Sequence, residues 1–287
     1  MTVRLFATDL DGTLLRSDRT ISARTADAMA AARDAGIDVV WATARARHSV
    51  HEFAEQSGFR GIAVCANGAV LIDLADGTPV ITQTVGMDVA VGQAAVDRVR
   101  ALVPGTVVAA VGPTSFVAET GYAALCVFSD HHRDPSTMDT VVGGDFPSDS
   151  DRPPAFPWLR EDMVKIVARH ATVPSVDLYR ALLAGGVDDV SVTHSGAPYV
   201  EIAARGVSKA TALAALCERR GIARREVAAA GDARNDLEML AWAGTAICPS
   251  NAIPEVQALV DRVVASNDAD GIAEYLEELA HPRVGQG

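Results

Sequence analysis

Apolar and polar positions follow two rhythms in the first 68 residues, and the same rhythms return near the C-terminal end of the chain. Short apolar runs bounded by turn residues are typical of buried strands, and longer runs with apolar positions three or four apart are typical of amphipathic helices. Strands that alternate with helices predict parallel βαβ units. The first part contains VRLFAT, ISARTADAMAAARDAG, IDVVWAT, RARHSVHEFAEQSG and GIAVCANG, and the last contains KATALAALCERRG, EVAAAGD, NDLEMLAWAG, TAIC, NAIPEVQALV and DRVVAS.

A different pattern separates these two parts. AVLIDLADGTPVITQ predicts two strands joined by an Asp-Gly turn. After it, predicted helices near residues 88–102 and 176–183 are mixed with alternating strands such as MVKIVARH and DDVSVTH. We therefore predict an α/β protein whose core is a Rossmann-like doubly wound parallel sheet formed by residues 1–84 and 198–287, with an α+β domain inserted at residues 85–197.

Composition narrows the classes of partner. The 287 residues include 25 Lys and Arg against 37 Asp and Glu, so the net charge is −12, and the sequence pI is about 5.0. Nucleic acids and anionic membranes attract clustered basic residues, so neither is expected as a partner, whereas a small-molecule ligand is. We find no apolar run long enough for a membrane span and no signal peptide, and we expect a cytoplasmic protein. Four scattered cysteines predict reduced, buried thiols.

Two aspartates follow the first predicted strand in FATDLDGTLL. In a strand, residues i and i+2 project to the same side, so Asp9 and Asp11 are expected to converge where the strand ends, and Gly12 permits a sharp turn. Two carboxylates about 4 Å apart repel each other by roughly 4 kcal/mol at an effective dielectric constant near 20. A cation or a shared proton is therefore expected, and hard oxygen ligands favour Mg²⁺.

Further polar residues follow other predicted strands of the core. EVAAAGDARNDLEML places Asp232, Asn235 and Asp236 between a strand and a helix. If this strand is adjacent to the first, the carboxylates meet at the carboxyl edge of the parallel sheet, where doubly wound folds bind ligands. Thr43 and Arg45 end another strand, VVWATAR, at the same edge.

A lysine and an asparagine complete the candidate set. Lys209 of GVSKATAL lies in the first turn of a helix capped by Ser208, where an ammonium group can neutralise a phosphate oxygen. Asn67 follows the third strand in CANG. Two interpretations of Asn67 stay open: it faces a substrate, or it supplies the left-handed turn that Asn-Gly favours. Asn235 likewise either orients a phosphate loop or caps the helix before Asp236.

The motifs DLDGT, TAR, the lysine of GVSKATAL, and GDARND occur in this order, and the set resembles the four motifs of the haloacid dehalogenase superfamily of phosphatases. ANG and PSNAIPEVQALVDRVVASNDADG are similar to the Cof-type branch, subfamily IIB, whose cap domain is inserted between the second and third motifs. The resemblance covers nearly the whole chain. It implies that residues 85–197 form a cap on a haloacid dehalogenase-like core. One departure is Ala44, where the branch usually has glycine.

The resemblance also implies a role for each matched residue. Asp9 would attack phosphorus and form an aspartyl-phosphate, and Asp11 would protonate the leaving alcohol and later activate water. Thr43 and Lys209 would hold the transferring phosphoryl oxygens. The residues implied to hold Mg²⁺ are Asp9, Asp11 through its backbone carbonyl, Asp232 and Asp236, and those assigned to the substrate are Arg45, Asn67 and Asn235.

The motifs favour one class of reaction but leave alternatives for both the reaction and the substrate. We expect a Mg²⁺-dependent phosphatase that hydrolyses phosphate monoesters of small metabolites, with sugar phosphates first. The alternatives are a sugar phosphomutase, a dedicated phosphatase of the mannosyl-3-phosphoglycerate or sucrose-phosphate type, and a flavin-pathway or pyridoxal phosphate substrate. A receiver module is excluded by the inserted domain and by Asp-x-Asp-Gly-Thr, and a silent binding protein is disfavoured by the intact aspartate pair. Monomer and homodimer are both left open.

Overall fold

The structure is a computed structural model that describes residues 2–126, 139–141 and 162–281. The chain divides into two compact units, one formed by Met1–Gln83 and Ser208–Gly287 and the other by Thr84–Val207. The first unit contains the strands β1 (Leu5–Thr8), β2 (Asp38–Ala42), β3 (Ile62–Cys65), β4 (Val70–Asp73), β5 (Val80–Thr84), β12 (Val227–Ala230), β13 (Thr245–Pro249) and β14 (Arg262–Val264), and the second contains β6 (Val107–Val111), β7 (Phe116–Glu119), β8 (Asp139–Val141), β9 (Lys165–Arg169), β10 (Val190–Thr193) and β11 (Val200–Ala204).

The first unit is built on an eight-stranded sheet in the order β14-β13-β12-β1-β2-β3-β4-β5. The pairs from β14 to β3 are parallel, whereas β3 and β4 are antiparallel. Every residue of β1, β3 and β12 is buried, as expected for parallel strands covered on both faces. The doubly wound α/β fold predicted from the alternating pattern is confirmed. The helices of this unit are α1 (Ala23–Asp34), α2 (Arg47–Ser57), α6 (Lys209–Arg220), α7 (Leu237–Trp242), α8 (Pro254–Gln257) and α9 (Gly271–Ala280).

Local sequence explains where the main helices begin and end. The Ser22 hydroxyl accepts a hydrogen bond from the amide of Thr25 at the start of α1, and Ser208 caps α6 through the amide of Thr211. Gly58 and Gly221 follow α2 and α6 in the left-handed conformation that ends many helices. These caps fix α6 so that its first residue is Lys209.

The second unit is a six-stranded sheet in the order β10-β11-β9-β6-β7-β8, antiparallel except between β7 and β8. Within the described residues of this unit, the helices are α3 (Val89–Leu102), α4 (Thr120–Leu125) and α5 (Ser175–Gly185). Apolar residues of α3 and α5 pack with alternate residues of the sheet, among them Val99, Leu182, Ile166 and Ile202. The sheet therefore has one face committed to a helix layer.

The predicted end of the insertion is wrong by one strand. The sequence analysis ended the inserted domain at residue 197, but β11 pairs antiparallel with both β9 and β10 and lies in the second sheet. The unit consequently extends to Val207. The apolar run of β11 has the same composition as a core strand, so composition did not reveal to which sheet it belongs.

Two predictions about the whole chain can be compared with the structure. The four cysteines are buried thiols that form no disulfide, as predicted. Among the helices in the described residues, none is long and apolar enough to cross a membrane.

Candidate active site

Three carboxylates meet at the carboxyl ends of two adjacent strands. Asp9 directly follows β1, Asp232 follows β12, and Asp236 precedes α7. β1 and β12 are parallel with Thr8 opposite Ala230, and the amide of Asp9 donates a 2.9 Å hydrogen bond to the carbonyl of Ala230. One carboxylate oxygen from each of the three aspartates lies within 4.8 Å of those from the other two. The predicted adjacency of the two acidic motifs is therefore present.

Lys209 lies between two of these carboxylates. Its Nζ donates to Asp9 Oδ1 at 2.5 Å and to Asp236 Oδ1 at 2.7 Å, and the residue is only 1% exposed. Burial disfavours the charged ammonium, but the two carboxylates outweigh this effect, and the pKa of Lys209 is raised above its ordinary value. The lysine is thus a fixed positive charge inside the acidic cluster.

The two aspartates of the second acidic motif differ in their surroundings. Asp236 Oδ2 accepts hydrogen bonds of 3.0 Å from the amides of Asp232 and Ala233, so this side chain also orders the loop that carries Asp232. Asp232 Oδ1 accepts a 2.9 Å hydrogen bond from the hydroxyl of Thr13. Burial, with the nearby charge of Asp236, raises the pKa of Asp232 to about 7. Burial also raises the pKa of Asp9 well above its ordinary value, against the attraction of Lys209.

Two glycines allow the acidic loops to approach each other. Gly12 has φ +75°, and a Cβ there would lie 2.5 Å from Asp232 Oδ2. A Cβ on Gly231 would lie 2.5 Å from the Cβ of Asp236. The glycines of DLDGT and GDARND therefore serve the close packing of the two motifs as well as turn formation.

Asp11 and Arg45 form an ion pair beside this cluster. Arg45 Nε donates to Asp11 Oδ2 at 2.6 Å, and Nη2 donates to Asp11 Oδ1. The carboxylate of Asp11 is not one of the three clustered carboxylates, so a metal contact from Asp11 would depend on its backbone carbonyl. The sequence analysis assigned Arg45 to the substrate, whereas in the structure its guanidinium faces Asp11.

Thr43 and the two asparagines lie on the neighbouring loops. Thr43 is fully buried after β2, and its hydroxyl accepts a 3.1 Å hydrogen bond from the amide of Arg45. Asn67 has φ +55° and ψ +29°, the left-handed turn that one of its two interpretations requires. Asn235 Nδ2 donates to Asn67 Oδ1 at 3.1 Å, and this bond joins the loop after β3 to the loop after β12. Asn235 Oδ1 is buried and has no hydrogen-bond partner among the described residues.

The sequence analysis missed three residues that shape these loops. One is Thr13, the hydroxyl partner of Asp232, although it belongs to the quoted DLDGT. Asn251 Nδ2 donates to the carbonyl of Gly12 at 2.7 Å, and Asn267 Nδ2 donates to the carbonyl of Leu15 at 2.9 Å. Both asparagines lie in the run PSNAIPEVQALVDRVVASNDADG, so the signal was present, but only the fold shows that this run supports the turn after Asp11.

The residues of the cluster fit a divalent cation. Asp9 and Asp236 are buried and Asp232 is partly exposed, and their three carboxylates offer oxygen ligands, which Mg²⁺ prefers. When all four aspartates of the site are ionised, Lys209 and Arg45 balance only two of the four charges. A divalent ion would neutralise the remainder and lower the cost of burying it.

Comparison with known proteins agrees with this geometry. The family model described as haloacid dehalogenase-like hydrolase matches residues 6–93 and 150–276. The chain belongs to this family, and it is a phosphoric monoester hydrolase. The resemblance read from the ordered motifs is thereby confirmed.

Relatives of known activity cover nearly the full chain. The 5-amino-6-(5-phospho-D-ribitylamino)uracil phosphatase YitU of Bacillus subtilis is 29% identical over 96% of this chain and 96% of its own length. The pyridoxal phosphate phosphatase YbhA of Escherichia coli is 26% identical over 96% of this chain and 98% of its own. Each of these relatives is a phosphatase that acts on a small phosphorylated metabolite.

Solved structures show the same fold. SMU.1108c from Streptococcus mutans has a TM-score of 0.79 at 22% identity and covers 96% of this chain and 98% of its own. The haloacid dehalogenase subclass IIB sugar phosphatase BT4131 has a TM-score of 0.75 at 18% identity, with 96% and 98% covered. These likenesses confirm the core with its inserted domain.

Proposed function

We propose that the protein is a Mg²⁺-dependent phosphatase that hydrolyses phosphate monoesters of small metabolites, sugar phosphates first among them, through an aspartyl-phosphate on Asp9. The observation that carries the proposal is the cluster of Asp9, Asp232, Asp236 and Lys209 at the carboxyl ends of β1 and β12. Asp11, two residues from the nucleophile, completes the set of groups that this chemistry requires.

The reaction proceeds in two half-reactions. In the first, a carboxylate oxygen of Asp9 bonds to phosphorus while the ester P–O bond breaks, and the leaving oxygen takes a proton from the carboxyl group of Asp11. In the second, Asp11 takes a proton from water as the water oxygen bonds to phosphorus and the bond between phosphorus and the Asp9 oxygen breaks. Inorganic phosphate leaves, and both carboxyl groups return to their starting states.

The other site residues bind and orient. Lys209 supplies a fixed positive charge for the oxygens of the transferring group, and the Thr43 hydroxyl at the end of β2 supplies a hydrogen-bonding group. Asp9, Asp232 and Asp236 would hold Mg²⁺, with the backbone carbonyl of Asp11. When bound, the ion neutralises charge on the phosphoryl group and on the carboxylates. Asn67 and Asn235, on the loops after β3 and β12, would contact the substrate.

The substrate class rests on the relatives and on the acidic chain. The relatives act on a phosphoribitylamino-uracil and on pyridoxal phosphate, and the IIB neighbour is a sugar phosphatase. The substrates named for the two relatives each carry one phosphoryl group on a small polar molecule. Four cysteine thiols without a disulfide also suit a reducing compartment, and we infer a cytoplasmic enzyme on this ground.

The proposal is tested by measuring inorganic phosphate released from sugar phosphates, pyridoxal phosphate and 4-nitrophenyl phosphate, with Mg²⁺ or with a chelator. We expect turnover that requires Mg²⁺ and that is lost in Asp9→Asn. Asp38→Asn is the matched control, because Asp38 begins β2 at the opposite edge of the sheet. Turnover that persists in Asp9→Asn contradicts the nucleophile assignment, and conversion of hexose phosphates without phosphate release would indicate a mutase.

A further inference from the structure

The carboxylate of Asp11 is exposed yet held in one orientation. Its side chain is 48% exposed, and among the described residues only Arg45 donates hydrogen bonds to it. An aspartate side chain that reaches solvent ordinarily samples several rotamers. Arg45 binds both carboxylate oxygens with two different nitrogens, which fixes the plane of the carboxylate as well as its position.

Arg45 is itself held in place by two contacts besides Asp11. The residue is 8% exposed. The Cζ of its guanidinium lies 4.8 Å from the centroid of the Phe53 ring on α2, and its backbone amide donates to the Thr43 hydroxyl at 3.1 Å. A guanidinium that packs on an aromatic face and binds through a planar fork has little freedom left. Contacts with α2 and with the end of β2 thus fix Arg45, and Arg45 in turn fixes the exposed carboxylate of Asp11.

The remaining donor of Arg45 does not favour a direct role in binding substrate. Nε and Nη2 are both occupied by Asp11, and Nη1 is buried with no hydrogen-bond partner among the described residues. A buried donor without a partner is energetically unfavourable. Two of the three guanidinium nitrogens are thus occupied by Asp11, and the third is shielded from solvent.

We propose that Arg45 is a positioning residue that holds the carboxyl group of Asp11 in the orientation needed for both proton transfers. The proposal rests on the acid/base role proposed above for Asp11. The same carboxyl group must face the leaving oxygen in the first half-reaction and water in the second. An error of about 1 Å in such a group can cost on the order of 100-fold in rate.

Pre-steady-state hydrolysis of 4-nitrophenyl phosphate separates the two half-reactions. Nitrophenolate leaves without protonation, so the first half-reaction needs little help from Asp11, whereas the attack of water on the aspartyl-phosphate still needs it. We expect Arg45→Lys, which keeps the charge but lacks the planar fork, to lower kcat by about 10- to 100-fold. We also expect it to release nitrophenol in a larger initial burst than the wild type and to accumulate acid-trappable phosphoenzyme.

The matched control is Arg16→Lys. Arg16 binds Asp270 through the same fork, with Nε at 2.9 Å and Nη2 at 2.6 Å, and makes none of the contacts of the site. It should change neither the burst nor kcat. A raised KM with unchanged kcat in Arg45→Lys would show that Arg45 binds substrate instead, and equal slowing of both half-reactions would show general disruption. Either result overturns the proposal.

Asp11→Asn in the same assay separates failure of this proposal from failure of the acid/base assignment. If Asp11→Asn turns over normally, the role of Asp11 is wrong. If Asp11→Asn shows the burst and Arg45→Lys does not, only the positioning role is wrong. Circular dichroism verifies folding, and if Arg45→Lys is unfolded, Phe53→Leu removes the ring beneath the guanidinium and should give the same pattern more weakly. A wild-type burst and kcat in Phe53→Leu would then overturn the proposal.

Discussion

At the scale of single residues, the charge of Lys209 decides whether the acidic cluster can be buried. Asp9 and Asp236 are both in contact with its ammonium group, and the three groups are almost completely excluded from solvent. Burying a charge is costly unless it is paired, and each member of this set is paired through the lysine. The lysine therefore has a structural role before any substrate binds.

Lys209→Met should lower the free energy of unfolding by about 3–5 kcal/mol at neutral pH without metal, because two buried carboxylates lose their partner. Chemical denaturation with and without Mg²⁺ measures this. Mg²⁺ should raise the stability of the variant more than that of the wild type, since the ion replaces the missing charge. Arg220→Met, which removes an exposed pair with Asp38, should have little effect. An equal loss in both variants would contradict the argument.

Gly12→Ala should weaken both stability and metal binding. A methyl group there combines an unfavourable φ of +75° with a 2.5 Å approach to Asp232 Oδ2. Gly36→Ala separates these causes, because Gly36 has φ +84° and nothing within 4 Å of its added Cβ. Both variants should lose about 1 kcal/mol from backbone strain, and only Gly12→Ala should show weaker Mg²⁺ binding by calorimetry. Unchanged Mg²⁺ affinity in Gly12→Ala would show that Asp232 does not contribute to the ion site.

At the scale of secondary structure elements, the second unit contains a buried ion pair across two strands. Lys165 of β9 and Glu201 of β11 lie 2.6 Å apart and are 5% and 1% exposed. The next residue along each strand, Ile166 and Ile202, packs with the helices. Because successive side chains of a strand point to opposite faces, the ion pair lies on the face of the sheet away from these helices. Glu201 Oε2 has no hydrogen-bond partner among the described residues. The pair makes these strands sensitive to the loss of either charge.

Lys165→Met should therefore destabilise the protein by about 3–5 kcal/mol, because Glu201 is left buried and unpaired. Adding Glu201→Leu to this variant should restore most of that loss, since an apolar pair of similar volume carries no desolvation cost. Urea unfolding of the two variants measures the difference. A double variant less stable than Lys165→Met would mean that the cost comes from packing rather than from the unpaired charge.

At the scale of the whole molecule, ion pairs and hydrogen bonds connect the two ends of the chain within the first unit. Arg16 follows β1, and Asp270 lies at the start of α9, 254 residues later, yet they form a two-bond ion pair. The hydrogen bonds from Arg16 are the main cause that lowers the pKa of Asp270. Hydrogen bonds from Ser17 likewise lower the pKa of Asp268. These carboxylates connect the segment after β1 to the start of α9.

The stability of the protein should fall in acid partly because of Asp270. A carboxyl group whose pKa is lowered by folding stabilises the fold above its unfolded pKa of about 4, and this stabilisation is lost as the pH falls through the folded pKa. Melting temperatures measured from pH 6 to pH 2.5 should show a smaller decrease for Asp270→Asn than for the wild type. Asparagine tolerates the left-handed conformation of this position, φ +56°, so strain should not obscure the comparison. Identical pH profiles would exclude Asp270 as a contributor.

Much of the fold and of the site could be predicted from local patterns. The alternation of strands and helices predicted the doubly wound core, and the spacing of Asp9, Asp232 and Asp236 behind apolar strands predicted the cluster, because parallel strands end at a common edge. The partner of Arg45 and the roles of Thr13 and Asn251 could not be predicted. Each depends on which loops lie side by side, and no period or spacing in the sequence records that.

The sequence by itself determined the class of chemistry, because ordered motifs fix which residue types follow which strands, and neighbouring carboxylates at strand ends favour a cation or a shared proton. Only the tertiary structure decided which groups pair. It placed β11 in the second sheet, joined Lys209 to two carboxylates and turned the Asp11 side chain toward Arg45. The physical reason is that hydrogen bonds and ion pairs depend on distances of a few ångströms between residues far apart in the chain, which local preferences do not specify.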